Sequence, residues 1–315
     1  MPLPGPDRNG KCRRIITDML DPAFSVAFHI GAHKTATSHL QRSIGAQADA
    51  LAARGVQWFG PHYLRKWDQT LPELLGLGDG QALSGQLRSL LQTAQRVVLS
   101  EENHIGVLND PRRRPVTCRY PKAAPRIRAV AQGLGRNVDV FLAIRRPTGF
   151  VNAAYCQQLM SGNVMLMAQY RKINPTESVD WADLVARLRA TAGVGQLVVW
   201  CYEDYAVHFS AICAGLLGPA AAGVVQPIDR YIHRGLSAAA VAEILHRHAL
   251  GGAGDAGRNV RALLSVEDGY PPFDGFTPAE HAAGDSAYRA QIAAIGAMPG
   301  VTLLDPLWAD GPMRA

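Results

Sequence analysis

The sequence predicts an α/β fold in three layers, with a central parallel sheet of about five strands and helices on both faces. Short apolar runs, mostly rich in β-branched or aromatic residues, alternate along the chain with longer segments of helical periodicity. Strands made almost entirely of apolar residues are typical of parallel sheets that helices cover on both sides. The 315 residues, 48% of them hydrophobic and 18% charged, are enough for a sizeable core and exclude a disordered protein.

The elements of this alternation can be assigned in order. The predicted strands are residues 25–30, 56–59, 97–99, 138–144 and 197–201. The predicted helices among them are residues 37–54, 81–93, 121–134, 148–160, 179–190 and 205–217. Beyond residue 227 the chain is predicted to be mostly helical, with helices at 237–249 and 278–295. We therefore expect a flexible lead-in (1–22), an α/β domain (23–250) and a mostly helical C-terminal extension (251–315) packed on the same domain.

Composition and charge exclude several classes of protein. No run of about 18 apolar residues occurs, so no membrane span is predicted, and residues 1–22 lack the apolar centre of a secretory signal. The five cysteines are scattered without a CxxC pair, which predicts neither structural zinc nor a disulfide framework and favours the cytoplasm. The formal net charge is only +6, and no basic run has interleaved aromatic residues, so we expect no nucleic-acid partner. We interpret the densest cationic cluster, Arg112 to Arg114, as a solvated loop.

In an open parallel sheet, ligands bind beyond the carboxyl ends of the strands. After the first strand, residues 31–38 combine a leading glycine, Lys34 and several hydroxyl residues at the start of a predicted helix. Free backbone N–H groups, the positive helix end and the lysine charge together form a cradle for an anion. The alternative is an ordinary capped helix with Lys34 in solvent. The ATP/GTP loop pattern G-x-x-x-x-G-K-[ST] fits poorly, because His33 stands where that pattern has its second glycine.

The segment His-Ile-Gly-Ala-His-Lys-Thr-Ala-Thr-Ser, residues 29–38, resembles the 5′-phosphosulfate-binding loop of sulfotransferases. That loop usually reads P-K-[ST]-G-T, and bacterial relatives often read H-I-G-x-x-K-T-G-T-[ST]. The resemblance implies a P-loop NTPase-like fold and the donor 3′-phosphoadenosine-5′-phosphosulfate (PAPS). It implies that the donor is bound by residues His33, Lys34, Thr35, Ala36, Thr37 and Ser38. Alanine at position 36, where the family usually has glycine, disfavours a positive φ.

After the third predicted strand, residues 100–104 read Ser-Glu-Glu-Asn-His. A carboxylate at a strand end can act as a general base, although acidic residues in loops are usually solvated. Many bacterial sulfotransferase-like proteins read S-S-E here, and the resemblance implies that Glu102 is the base. Glu101 stands in the position of the second serine. His104 is the second candidate, because the cytosolic branch of the family uses a histidine after this strand.

Two arginines, Arg145 and Arg146, end the fourth predicted strand, where they are costly unless they form ion pairs or bind an anion. The segment resembles the family's 3′-phosphate loop, in which a serine follows the arginine after eight residues. Arg145 matches the arginine, and the serine position falls on Ala153, which has no hydroxyl. Asn152 or a backbone N–H group is a candidate to replace that serine.

Two further segments complete the resemblance, which covers residues 24–249. After the fifth strand, Tyr202 begins a Y-E-D sequence whose tyrosine lies by the adenine in cytosolic sulfotransferases; without the resemblance, a core position is the ordinary interpretation. Arg234, in a His-Arg-Gly sequence, matches the C-terminal loop that closes over the 3′-phosphate. No HExxH sequence occurs, and no metal is predicted.

The sequence thus predicts a cytoplasmic, PAPS-dependent sulfotransferase. Lys34 and the N–H groups of residues 33–38 would hold the 5′-phosphosulfate, and Glu102 would take the proton of an acceptor hydroxyl or amine on a glycan, lipid or small metabolite. The predicted acceptor loops are residues 60–71, 103–120 and 156–179. Two alternatives are a P-loop kinase or nucleotide hydrolase, which should have the full glycine loop, and a non-catalytic nucleotide-binding relative, which would explain Ala36 and Ala153.

Overall fold

The computed structural model describes residues 24–65, 94–110, 112–229, 235–251 and 256–307. Six strands form a single sheet in the order β2-β3-β1-β4-β5-β6, and all neighbouring strands are parallel. The strands are β1 Ser25–Gly31, β2 Val56–Phe59, β3 Arg96–Ser100, β4 Val138–Ile144, β5 Val194–Cys201 and β6 Val301–Leu303. All five predicted strands are confirmed, and so is the α/β class.

The sixth strand, β6, was not predicted. It pairs with residues Leu197 to Val199 of β5 at the edge of the sheet, within a region that the sequence predicts to be mostly helical. Its three residues are all partly or fully exposed, so neither alternation nor an apolar run marks them as a strand.

Twelve helices are seen among the described residues. They are α1 Thr37–Gly45, α2 Ala48–Ala52, α3 Pro61–Leu64, α4 Ala123–Leu134, α5 Pro147–Met160, α6 Met167–Ile173, α7 Trp181–Arg189, α8 Tyr205–Leu217, α9 Pro219–Ala222, α10 Ala238–Ala249, α11 Ala256–Leu263 and α12 Pro278–Gly296. The predicted helix at 37–54 is divided into α1 and α2, because α1 ends at Gly45. The predicted helix at 81–93 and the lead-in at 1–22 lie outside the described residues.

The sheet buries apolar side chains on both faces. Along β1, Phe28 and Ile30 face helices α4, α5, α7 and α12, whereas Ala27 faces α1 and α8. On β4, Val140 and Phe141 are divided between the faces in the same way, because successive strand side chains point to opposite sides. The result is the predicted three-layer arrangement of helices, sheet and helices.

The chain order of the strands determines where a ligand can bind. The strands β3 and β2 lie on one side of β1, and the later strands β4, β5 and β6 lie on the other side. The carboxyl ends of β1, β3 and β4 therefore meet at the point where the strand order reverses, which is where open α/β sheets bind ligands. No helix in the described part of the chain is long and apolar enough to cross a membrane.

Candidate functional site

The turn between β1 and α1 has an open row of hydrogen-bond donors. Lys34 and Ala36 both have positive φ, at 62° and 61°. Within the described ranges, the backbone N–H groups of residues 34 and 36–38 have no hydrogen-bond partner, whereas residue 35 ends a hydrogen-bonded turn that begins at Ala32. Successive N–H groups in such turns form a concave anion site, and the N-terminus of α1 adds its positive end.

Ala36 adopts the conformation that alanine disfavours. It is the residue that caps α1, with φ 61° and ψ 18°, and no side-chain hydrogen bond caps the helix. A left-handed conformation costs a residue with a Cβ roughly 1–2 kcal/mol. The departure from the family's glycine therefore leaves the turn intact, at a cost to stability that glycine would not have.

His33 is held away from the donor row. Its backbone N–H donates to the Tyr120 hydroxyl at 3.3 Å, and its Nδ1 lies 2.9 Å from the same oxygen. Nε2 lies 3.1 Å from Asn103 Oδ1, which can only accept, so in a neutral ring the proton is on Nε2 and the Tyr120 hydroxyl donates to Nδ1. Burial lowers the pKa of His33, in agreement with a neutral ring. In the structure the cradle thus begins at Lys34 and not at His33.

Two cations without a carboxylate partner flank the cradle. Arg145 donates from Nη1 to the Lys34 carbonyl at 2.7 Å, and its guanidinium lies over the Tyr202 ring, 4.3 Å from the centroid. The Lys34 ammonium donates to Gln157 Oε1 at 3.4 Å, which is its one hydrogen bond among the described residues. Burial, and then the charge of Arg145, lowers the pKa of Lys34 to about 8. Within the described ranges neither cation forms an ion pair, which is the arrangement that a bound anion would stabilise.

The neighbouring Arg146 differs from Arg145. Arg146 forms an ion pair with Asp285 of α12 at 2.9 Å, and its backbone N–H donates to Glu203 Oε1. The ion-pair alternative considered for the two arginines therefore applies to Arg146, whereas Arg145 faces the β1–α1 turn.

Glu102 adjoins the cradle from the end of β3. Gly31 makes this approach possible, because a Cβ at that position would lie 2.9 Å from Glu102 Cβ. Glu102 Oε2 accepts from Gln41 Nε2 at 2.9 Å, and Oε1 accepts from Arg65 Nη2 at 2.9 Å. Burial alone would raise the pKa of Glu102, but the Gln41 hydrogen bond, the residue's own backbone N–H and the Arg65 charge together lower it. The carboxylate is therefore ionised and held in one place.

The other two candidate bases point elsewhere. Glu101 accepts from Arg65 Nε at 2.6 Å, from Arg65 Nη2 at 2.8 Å and from the Asn103 backbone N–H. His104 packs against Phe28 and lies 3.4 Å from the Arg126 carbonyl, and burial lowers its pKa to about 4. Of the three, Glu102 is the one beside the β1–α1 turn.

The structure uses Asn152 for a different purpose. Its amide nitrogen donates to the Phe273 carbonyl at 2.7 Å, and its amide oxygen accepts from the Gly275 N–H at 3.1 Å. Asn152 thus holds the segment that precedes α12, and neighbouring Ala153 has no hydroxyl. Arg234 lies outside the described residues. Six positions before it, Ile228 contacts α1: the Ile228 carbonyl lies 2.9 Å from Nε2 of His39.

Sequence reasoning missed the residues that surround the predicted ones. Gln41 lies on α1 one turn beyond Thr37, with its side chain almost wholly buried, so a polar residue on the apolar face of that helix was the available signal. Arg65 and Tyr120 had no comparable signal, because they reach Glu102 and His33 only through the fold. No group of three or more His, Cys, Asp or Glu side chains in the described ranges is arranged to hold a metal.

No family model and no curated protein matches the chain. The chain is similar to a solved sulfotransferase structure from Alicyclobacillus acidocaldarius, with 16% identity over 76% of this chain and 96% of that one. The TM-score is 0.37, and a similarity of this size carries no argument about function.

Proposed function

We propose that the protein is a sulfotransferase that moves a sulfuryl group from PAPS to a hydroxyl or amine of an acceptor. The observation that carries the proposal is the row of backbone N–H groups at residues 34 and 36–38 that have no partner among the described residues, beside two cations that have no carboxylate partner there. A short cradle of this kind suits one phosphate with a group to be transferred, since it lacks the longer loop that encloses a triphosphate.

Each residue of the site has a role in this proposal. The acceptor oxygen or nitrogen attacks sulfur, the bond between sulfur and the bridging oxygen breaks, and adenosine 3′,5′-bisphosphate leaves with the electron pair. Glu102 takes the acceptor proton. Lys34 and the free N–H groups stabilise the charge that develops on the leaving phosphate, where losing one donor costs on the order of 10²–10³ in rate. Arg145 binds the 3′-phosphate with its planar donor fork, and Tyr202 packs against the adenine.

A two-stage experiment tests the proposal. Calorimetry with adenosine 3′,5′-bisphosphate measures donor-site binding without an acceptor, and release of the bisphosphate from PAPS is then followed with a library of hydroxyl and amine acceptors. We expect Glu102→Gln to bind the bisphosphate like the wild type and to lose transfer. Lys34→Met should bind the bisphosphate much more weakly and also lose transfer. Transfer at the wild-type rate by Lys34→Met would refute the assignment, as would magnesium-dependent ATP turnover without PAPS activity.

One observation favours a second candidate, a nucleotide-binding protein without catalysis. Both Glu102 oxygens accept hydrogen bonds from Gln41 and Arg65, which lowers the basicity of the carboxylate. If this network persists when the acceptor binds, Glu102 is a weak base. Tight bisphosphate binding with no turnover on any acceptor would favour this candidate over the sulfotransferase.

A further inference from the structure

The net positive charge of the chain is confined to one short segment. Residues 103–130 contain seven arginines and lysines and a single aspartate, which gives them a net charge of +6. The rest of the chain contains 25 cations and 25 anions and is therefore neutral. We call residues 112–128, which contain all seven cations, the basic segment.

The basic segment is attached to the candidate site at two points. Near its middle, the Tyr120 hydroxyl hydrogen-bonds His33 of the β1–α1 turn. Near its end, Arg126 Nη1 donates to the His104 carbonyl at 2.7 Å. His104 is the last residue of the short 3₁₀ turn that begins at Glu102. Lys122 is exposed and lies in the chain between these two anchors. The basic segment is therefore tied to the β1–α1 turn and to the 3₁₀ turn that begins at Glu102.

The fold uses two of the seven cations, because Arg119 is buried and donates to Asn174 Oδ1 and Arg126 donates to the His104 carbonyl. It does not account for the other five. Helix α4 has no acidic residue in its first turn, whereas Lys122 precedes it and Arg126 follows within that turn. Cations near a helix N-terminus are unfavourable, because they face its positive end, and like charges repel one another. Arg113, Lys122 and Arg128 are exposed and form no ion pair with the described residues. Only Arg112 and Arg114 have an acidic partner here, and they share Asp110.

A second feature of the segment limits the kind of polyanion that it fits. Proteins that bind single-stranded nucleic acids present aromatic side chains on which the bases stack. Between residues 105 and 130 the one Phe, Tyr or Trp is Tyr120, and its side chain is 4% exposed and bound to His33. The segment thus offers fixed positive charge without a stacking surface, which suits a polymer whose charged units are sugars.

We propose that the basic segment binds an acidic polysaccharide, and that this polymer carries the acceptor hydroxyl or amine. The inference rests on the proposed sulfotransferase function. A surface of one charge sign that is attached to the site raises the local concentration of an oppositely charged acceptor and speeds its association. The attraction weakens as salt concentration rises, because exposed charges are screened.

Direct binding measurements test this proposal. The probe is a fluorescent oligogalacturonate of about ten sugars, compared with an uncharged malto-oligosaccharide of equal length and with an oligothymidylate of about ten nucleotides. The double variant Lys122→Gln/Arg128→Gln removes two exposed cations of the segment. The matched control Arg42→Gln/Arg54→Gln removes two exposed arginines elsewhere and changes the net charge equally.

We expect the wild type to bind the acidic sugar and not the neutral one, with an affinity that falls as salt rises. The Lys122/Arg128 variant should bind at least fivefold more weakly, whereas the control should stay within about twofold. Equal weakening in both variants, or preferential binding of the oligothymidylate, would overturn the proposal. The midpoint temperature of thermal unfolding of the Lys122/Arg128 variant should equal or exceed that of the wild type. A large fall in this temperature would show that the two cations stabilise the fold, and would overturn the proposal.

The two proposals can fail separately. Calorimetry with adenosine 3′,5′-bisphosphate needs no acceptor, and the Lys122/Arg128 variant should bind this nucleotide like the wild type. Sugar binding without nucleotide binding would contradict the proposed function and leave a polysaccharide-binding surface. Nucleotide binding without sugar binding would contradict the acidic acceptor alone.

Discussion

The surroundings of Lys34 disfavour the charged form of its side chain. Its ammonium group is partly buried, lies near Arg145 and has one weak hydrogen bond, to Gln157. The pKa of about 8 lies below the value of about 10.4 in an unfolded chain, so between these values the unfolded chain binds more protons. Stability therefore rises with pH through this window, and at neutral pH the charged lysine destabilises the fold. A bound anion would reverse that penalty.

This position gives Lys34 a testable pH dependence. An anion favours the protonated lysine, so affinity for adenosine 3′,5′-bisphosphate should be nearly constant from pH 7 to the pKa near 8. Above it, affinity should fall by up to about tenfold per pH unit, because a proton must be taken up on binding. Calorimetry at several pH values measures both the affinity and the proton uptake. In Lys34→Met the affinity should be low and independent of pH over this range, and a wild-type slope in that variant would contradict the assignment.

Gln41 is the residue that gives Glu102 its position. Its amide nitrogen donates to Glu102 Oε2 at 2.9 Å and to Ser100 Oγ at 3.1 Å. The Ser100 oxygen is in turn 2.8 Å from His29 Nδ1 on β1. A chain of hydrogen bonds thus ties the carboxylate to two central strands.

Removing that amide should raise the pKa of Glu102, because burial then acts with less opposition. In the wild type we expect the carboxyl group to stay ionised to a pH below its ordinary value. In Gln41→Met it should become protonated at a higher pH, so that activity is lost earlier on acidification. Carbon-13 NMR of labelled glutamate measures the titration. The control is Gln158→Met, since Gln158 is similarly buried but bonds Met165, and an equal shift in that variant would exclude a specific role for Gln41.

At the scale of the element, α5 connects the donor site to the C-terminal region. Its N-terminus follows Arg145, and four contacts tie its N-cap and first turns to residues 273–285. These contacts are the Arg146–Asp285 ion pair, the Thr148–His281 hydrogen bond and the two bonds from Asn152. Residues near α12 therefore help to fix the strand end from which Arg145 reaches the β1–α1 turn.

This arrangement predicts different effects for substitutions of Arg145, just before α5, and of Asn152, within α5. Arg145→Met should reduce bisphosphate affinity by roughly 10–100-fold, the range of a charge-assisted hydrogen bond, and abolish the preference over adenosine 5′-monophosphate. Asn152→Ala should lower the free energy of unfolding by about 1–3 kcal/mol, because it leaves backbone groups of residues 273 and 275 without partners. Its effect on nucleotide affinity should be below about threefold. Calorimetry and urea unfolding separate the two, and a large affinity loss in Asn152→Ala would assign it to the 3′-phosphate instead.

At the scale of the whole molecule, the C-terminal residues share the main core. Tyr288, Ile292 and Ile295 of α12 are buried in the same apolar cluster as Phe28 and Val140 of the central strands. Strand β6 extends the sheet beside β5. We therefore expect the described part of the chain to unfold as one cooperative unit.

Ile295→Ala tests this unity. Ile295 is fully buried, so the substitution should lower the free energy of unfolding by about 2–5 kcal/mol and shift a single transition. Leu250→Ala is the control, because Leu250 is 74% exposed and its loss should change stability by less than about 0.5 kcal/mol. Urea unfolding followed by circular dichroism and tryptophan fluorescence should give coincident curves. Two separated transitions would instead indicate an independent C-terminal unit.

The features that could be predicted are those encoded by neighbouring residues. Apolar runs and helical periodicity predicted five of the six strands seen in the described residues and the three-layer class. The glycine, lysine and hydroxyl residues after the first strand predicted a turn into a helix there. The same reasoning could not find β6, which has three residues and no apolar alternation. It also could not show that Ala36 would take a positive φ, since packing of the turn overrides the local preference of alanine.

The sequence by itself determined the fold class, the order of the elements and the candidate residues after each strand, because these depend on side-chain periodicity and on short motifs. Only the tertiary structure decided which of those residues meet. Gln41 and Glu102 are 61 residues apart, His33 and Tyr120 are 87 apart, and Lys34 and Arg145 are 111 apart. Contacts at such separations form only when the strands pair and the helices pack, so local sequence preference carries no information about them.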